Sequence, residues 1–110
     1  MSNTSWTDIC NKQDLVANSG VCALVEEQQV ALFYMPAEDT VYAVSNYDPF
    51  GSANVLSRGL IGSLGEDLVV ASPLYKQHFC LRSGRCLEDE TQSIPAWQAR
   101  LNGDRVEIQL

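Results

Sequence analysis

Histidine is almost missing from this chain: His78 is the single one among 110 residues. A Ser/His/Asp or Cys/His catalytic set would have to be built on His78, which falls within a short apolar stretch and reads as a surface histidine in mid-strand. Bases are scarce as well, seven against fourteen acids for a net charge of −7. The basic footprint that phosphate-backbone binding needs is therefore lacking, which argues against nucleic acid as a partner. No apolar run approaches the roughly twenty residues of a membrane-spanning helix. The opening stretch from Met1 to Asp8 has neither a basic region nor an apolar segment. A cytoplasmic protein without a secretory or transit signal, and with no membrane attachment, is expected. There is no Gly-rich phosphate loop and no Gly-x-Ser-x-Gly elbow. The acid clusters Glu26-Glu27, Glu66-Asp67 and Glu88-Asp89-Glu90 sit at turns or strand ends, where charge is simply solvated. No active site is expected on this chain.

Paired cysteines are absent too. Cys10, Cys22, Cys80 and Cys86 form no Cys-x-x-Cys motif, and one histidine is a poor complement for a zinc site. In a reducing cytosol they are expected to be free thiols that pack as buried or partly buried small hydrophobes. Cys80 and Cys86 flank the turn at Ser83-Gly84. A two-residue loop would set their side chains on opposite sheet faces, whereas a three-residue loop would set them directly across from each other. Both registers are open.

What is present is β structure. No apolar i, i+3, i+4, i+7 pattern persists, while short alternating or β-branched runs recur between turn compositions. Strands are predicted near Trp6 to Cys10, Val21 to Val25, Gln29 to Tyr34, Thr40 to Asn46, Leu60 to Ser63, Leu68 to Ala71, His78 to Leu81, Arg85 to Leu87, Trp97 to Leu101 and Arg105 to Leu110. Helical turns are predicted within Gln13 to Ala17 and Ser52 to Ser57. With Asn102-Gly103 as a type I′ loop, Leu101 faces Asp104, Ala99 faces Val106 and Trp97 faces Ile108. That register gathers Trp97, Ala99, Leu101, Val106 and Ile108 on one face. At this length, with 45% hydrophobic residues and no linker, one all-β domain is expected, an antiparallel sandwich or barrel.

Two stretches sharpen this expectation. Asn46-Tyr47-Asp48-Pro49-Phe50-Gly51 follows a strand that ends Ala43-Val44-Ser45. Leu68-Val69-Val70-Ala71 feeds directly into Ser72-Pro73-Leu74-Tyr75, with Phe79-x-Leu81 and a Ser-Gly turn beyond. Together they resemble the two cluster loops of Rieske iron-sulfur domains, Asn-x-Cys-Pro-His and Cys-Pro-x-His, whose two Cys and two His hold a [2Fe-2S] cluster. On that frame the ligand positions fall on Asp48, Phe50, Ser72 and Tyr75. None of the four is a Cys or a His. Phe50 can donate nothing, Ser72 is a poor donor unless ionised, and Asp48 and Tyr75 suit harder ions. No iron-sulfur cluster or other metal is expected. Phe50 and Tyr75 are instead bulky rings that would fill the vacated space and approach each other, so Phe50→Ala is expected to cost far more than Ser72→Ala. Asp48 and Ser72 are expected to bond to nearby loop amides.

The whole pattern, lost ligands included, is similar to the small-subunit family of bacterial NADH-dependent assimilatory nitrite reductases. The resemblance implies a Rieske-like domain spanning residues 1–110, with a degenerate cluster-binding subdomain at about 46–86. It also implies a non-redox accessory subunit that docks on a large catalytic subunit. In that family the large subunit carries FAD, an iron-sulfur cluster and the sirohaem where nitrite becomes ammonium, and it uses NADH. Arg58, Lys76, His78, Arg82 and Arg85 crowd this segment of an otherwise acidic chain and are the candidate docking residues. Reversing Arg82 and Arg85 to Glu is expected to weaken association with the large subunit and reduce its salt sensitivity, whereas the same reversal at Arg100 and Arg105, on the closing hairpin, is expected to matter little to that association. Two alternatives remain. One is a Rieske-type ferredoxin electron carrier, whose members keep the ligands lacking here, and the other is a free-standing interaction domain.

Overall fold

The computed structural model describes residues 5–74 and 76–109. Its strands are β1 (Thr7–Asn11), β2 (Ser19–Val25), β3 (Gln28–Met35), β4 (Thr40–Ser45), β5 (Tyr47–Asp48), β6 (Ala53–Asn54), β7 (Leu60–Leu64), β8 (Asp67–Ala71), β9 (His78–Cys80), β10 (Ala96–Asn102) and β11 (Arg105–Gln109). They form a six-stranded sheet in the order β1-β11-β10-β4-β3-β2, a two-stranded pair β5-β6 and a three-stranded sheet β7-β8-β9. All these strand pairs are antiparallel.

β3 explains how the layers are arranged. Its four residues Val30 to Phe33 are all buried, although the side chains of a strand alternate between faces. Val30 and Leu32 join a core with Val41, Ala43, Val106 and Ile108. Ile9, Val21, Trp97, Ala99 and Leu101 pack against it, so all six strands of the large sheet contribute and the sheet curls around this core. Ala31 and Phe33 point the other way, into a second core with Val44, Leu56, Val70, Phe79, Leu81, Cys86 and Ile94. The chain between β4 and β10 thus lies against the back of the large sheet, and that contact holds the two candidate loops in place.

The expected strands match closely, with three corrections. Residues 85–87 form no strand: Arg85 and Cys86 make single bridges to Ser93 and Phe79. The turn in which Gln92 N–H donates to Asp89 O (3.0 Å) bends the chain away before a ladder can extend. The helical turns are single 3-10 turns at Lys12–Asp14 and Leu56–Arg58, and the extended backbone at Leu15 and Gly59 stops them there. In the last hairpin Asn102 pairs with Arg105, Leu101 with Val106 and Ala99 with Ile108. The register is two residues away from the expected one, so the same side chains share a face but with different partners. The loop is Gly103-Asp104 with Gly103 at φ +61°, the type II′ arrangement, and not Asn102-Gly103.

The β2-β3 turn is strained. Val25 pairs with Gln28, which leaves Glu26 and Glu27 as the two central residues, with φ of +48° and +70°. A type I′ turn wants Asn-Gly at these positions, and two glutamates pay a steric penalty of about 1 kcal/mol or more together. Glu26→Asn with Glu27→Gly should therefore stabilise the protein by about 1 kcal/mol in a urea titration. An unchanged or lower midpoint would show that the side chains of these glutamates contribute something the backbone geometry hides.

Candidate functional site

The first loop hangs from Asn46, whose side chain is buried. Its Nδ2 donates to Gln29 Oε1 (3.0 Å), and its Oδ1 accepts from Ser57 N–H (2.6 Å). Its backbone N–H donates to Gln29 O, and its O accepts from Leu56 N–H, both at 3.0 Å. One asparagine therefore ties the end of β4 to the β2-β3 hairpin and to the 3-10 turn at Leu56. The sequence places Asn46 in the loop frame but carries no sign of this role, because its partners lie 11 and 17 residues away along the chain.

From Asn46 the chain makes the β5-β6 hairpin and sets Asp48 at its base, completely buried. Asp48 Oδ1 accepts from the Phe50 N–H (2.9 Å), a local Asx turn across Pro49. In the second loop Ser72 is buried, and its Oγ accepts from the Leu74 N–H (3.2 Å). The loop closes through Ser72 N–H to Gln77 O (2.9 Å) and Lys76 N–H to Ser72 O (3.0 Å). Both local bonds answer the expectation for these two residues. A further bond joins the loops: the Ser72 hydroxyl donates to Asp48 Oδ2. Two residues of different loops, 24 positions apart in the chain, thus hold each other directly.

Phe50 is half-buried against the second core, its ring centroid 6.1 Å from that of Phe79. Tyr75, the expected partner of Phe50, lies outside the described residues. The ranking of the two substitutions also needs correction. Ser72 is a donor to a buried carboxylate, and Phe50 is only partly buried, so Ser72→Ala leaves a buried acceptor unpaired and the two costs become comparable, each about 2 kcal/mol. Leu74 covers the first loop, since a Cβ on Gly51 would stand 2.4 Å from its Cδ1.

These residues do not suit a [2Fe-2S] cluster. A carboxylate and a hydroxyl already bonded to each other, next to a phenyl ring, offer no soft donor. Among the described residues no three His, Cys, Asp or Glu side chains gather as a metal site. The hairpin after β9 follows neither of the two open registers. Cys80 N–H donates to Arg85 O (2.9 Å), Gly84 N–H to Cys80 O (2.7 Å), and Phe79 bridges Cys86, which makes a four-residue loop. Cys86 shares a face with Phe79 in the core, so the Cys80 thiol lies on the other face. Cys22 is exposed, contrary to the packing expectation, with its Sγ 3.5 Å from Asn46 Nδ2. Burial pushes the Cys80 thiol up, but the Ser83 hydroxyl and the amides of Ser83 and Arg82 outweigh it and hold the thiol below its ordinary value.

The candidate docking residues divide. Arg58, Lys76 and His78 line one groove of about 440 Å³, together with Leu60 and Pro73. Arg82 lies elsewhere, in a depression shared with Glu38, Glu66 and Asp67. His78 is half-buried, with Nδ1 2.6 Å from Glu88 Oε2 while its backbone N–H donates to Oε1 (2.7 Å). Desolvation pushes the Glu88 carboxyl up, and these two contacts outweigh it and lower it. The pairing pattern of the bases was not visible in the sequence. Lys12, Arg100 and Arg105, on the large sheet or beside it, contact Asp39, Glu107 and Asp8 at 2.7–3.0 Å. Arg58, Lys76, Arg82 and Arg85 form no ion pair with a carboxylate among the described residues. Arg100 also stacks over Trp6, 4.2 Å from its ring centroid, and Arg105 Nη1 donates to Asn11 Oδ1 (2.5 Å). Reversing these two would break contacts within the chain, so their effect on association is to be measured on variants shown to remain folded.

A curled antiparallel sheet with a small three-stranded sheet and two apposed loops on its back defines the class. Residues 5–109 match the family described as Rieske-like [2Fe-2S] domain. The chain is 46% identical over 105 residues to the nitrite reductase (NADH) small subunit of Escherichia coli strain K12, covering 96% of this chain and 97% of that one. It matches the crystal structure of a putative NADH-dependent nitrite reductase small subunit from Mycobacterium tuberculosis with a TM-score of 0.90 and 38% identity, over 99% of this chain and 97% of that one. A third relative is the nitrite reductase NAD(P)H large subunit of Klebsiella oxytoca, 41% identical over 101 residues, or 92% of this chain and 10% of that one. The chain belongs to the Rieske-like family of nitrite reductase (NADH) small subunits.

Proposed function

We propose that the chain is a non-redox accessory subunit of a cytoplasmic, assimilatory NADH-dependent nitrite reductase and that it docks on the large catalytic subunit. FAD, an iron-sulfur cluster and sirohaem belong to that large subunit, and this chain holds none of them. The observation that carries the non-redox reading is the bond between Ser72 and Asp48, which joins the two loops where a Rieske domain would place iron. Partnership with the large subunit is supported by the Klebsiella relative, in which a segment like this chain lies within a polypeptide named as a large subunit. One covalent chain in one organism and two chains in others is what a stable, stoichiometric association would produce. The docking surface belongs to the segment at about 46–86, which carries Arg58, Lys76, His78, Arg82 and Arg85. Four of these five form no ion pair with a carboxylate among the described residues and so keep their charge available to a complementary surface. No helix among the described residues is long and apolar enough to cross a membrane.

The test is purification under anaerobic conditions with iron and sulfide supplied, with and without the large subunit. The expected result is a folded, colourless chain that co-purifies with a sirohaem protein. Visible absorption bands with stoichiometric iron on the isolated chain would return it to the electron carriers.

A further inference from the structure

The edge of the small sheet is open. In the order β7-β8-β9, β7 pairs with β8 alone, and no other strand among the described residues covers its outer side. Sheet edges are usually blunted by charge, proline or a bulge, because their free N–H and C=O groups invite another strand. β7 has none of these. Its sequence Leu60-Ile61-Gly62-Ser63-Leu64 is uncharged, its pairing with β8 runs without a register shift, and all but Ile61 are exposed. Leu60 is 79% exposed, the most of any large hydrophobic residue described, and Leu64 is 44% exposed. Leu60 also lies between two depressions, the groove with Arg58 and Lys76 and a second of about 300 Å³ along β7 itself. Nothing stands within 4 Å of a Cβ built on Gly62, so the strand has open space beside it.

We propose that β7 is a strand-addition site for an extended segment of the large subunit, with apolar side chains beside Leu60 and Leu64 and a carboxylate reaching Arg58 and Lys76. This rests on the reading that the chain docks on the large subunit, and it names the surface and the chemistry of the segment. Charge selects the occupant. Arg58 and Lys76 form no ion pair with a carboxylate among the described residues, and they flank an uncharged edge in a molecule of net charge −7. The bases stand at the Leu60 end, while the turn beyond Leu64 carries Glu66 and Asp67, so an apolar strand of the large subunit fits with its carboxylate beside Leu60 and no acid beside Leu64. The other edge with an exposed leucine, β2 with Leu24, ends in Glu26-Glu27 and has the opposite charge beside it.

The experiment measures binding of the chain to the purified large subunit, together with amide exchange in the complex. Leu60→Glu should weaken binding about tenfold or more. Its unfolding midpoint should stay that of wild type, because the side chain is already in water. Arg58→Glu with Lys76→Glu should weaken binding and flatten its salt dependence, Leu24→Glu should do neither, and amides of residues 60–64 should gain protection. If wild type binds and Leu60→Glu binds equally well, the strand-addition site is wrong and the docking reading stands. If wild type itself does not bind, the docking reading fails. Loss of self-association in Leu60→Glu, with large-subunit binding intact, would assign β7 to a second copy and overturn the proposal.

Discussion

Gly84→Ala should cost about 3 kcal/mol or more, with a large fall in the urea midpoint, although it adds only one methyl group. Gly84 closes the four-residue loop after β9 with φ of +80°, a conformation that disfavours any side chain. A Cβ there would also stand 2.0 Å from Ile94 O and 3.1 Å from Ile94 C. The neighbour cannot swing aside as a flexible side chain would, because it is backbone and because Ile94 N–H donates to Gly84 O (2.8 Å). Ile94 is part of the second core, so moving it disturbs the contact between the small sheet and the large one. Gly65→Ala is the comparison: φ there is +63°, nothing lies within 4 Å, and only the conformational cost of about 1 kcal/mol remains. Equal losses for the two would mean that residues 91–95 do not pack on Gly84 as described.

The contrast between these glycines shows where the sequence stops being informative. Both sit in turns that composition alone marks, and the strands around them are legible because alternation and β-branching act locally. The approach of Ile94 to Gly84 depends on how residues 85–95 fold back, which neither alternation nor turn composition around Gly84 encodes. The closing hairpin shows a milder case. A slip of two residues preserves which side chains face the core, so the hydrophobic pattern cannot distinguish it, and only the geometry at Gly103 decides. At the candidate site, the positions of Asp48 and Ser72 were visible through their frame and their Asx- and Ser-type turns. That each is the other's partner was not. The candidate docking residues were read from density of charge along the chain, which cannot tell that Arg58 and Lys76 share a groove while Arg82 lies among acids.

Removing that partnership is the second large effect. Asp48→Ala deletes a fully buried acceptor and strands two donors, the Ser72 hydroxyl and the Phe50 N–H. An unsatisfied buried donor costs about 1–3 kcal/mol, so a loss of about 3 kcal/mol is expected. Ser72→Ala should lose about 2 kcal/mol, since the carboxylate it leaves keeps one amide donor. Because the two substitutions remove the same bond, the double variant should be less destabilised than the sum by about 1–2 kcal/mol. Asp48→Asn keeps the shape of the side chain and its Oδ1 as acceptor of the Phe50 N–H, and its NH2 can donate to the Ser72 hydroxyl oxygen in place of the bond that Oδ2 accepted, so it should lie closest to wild type. Additive losses would mean that each residue serves only its own turn and that the loops are held by Leu74 over Gly51 and by the Phe50–Phe79 contact. A coupled pair has a functional consequence as well. It fixes the spacing of the two loops through two side chains of the loops themselves, and with it the place of Ser72, Pro73 and Lys76 along the basic groove. Large-subunit binding by Ser72→Ala, measured at a temperature where the variant remains folded, should then fall along with its stability.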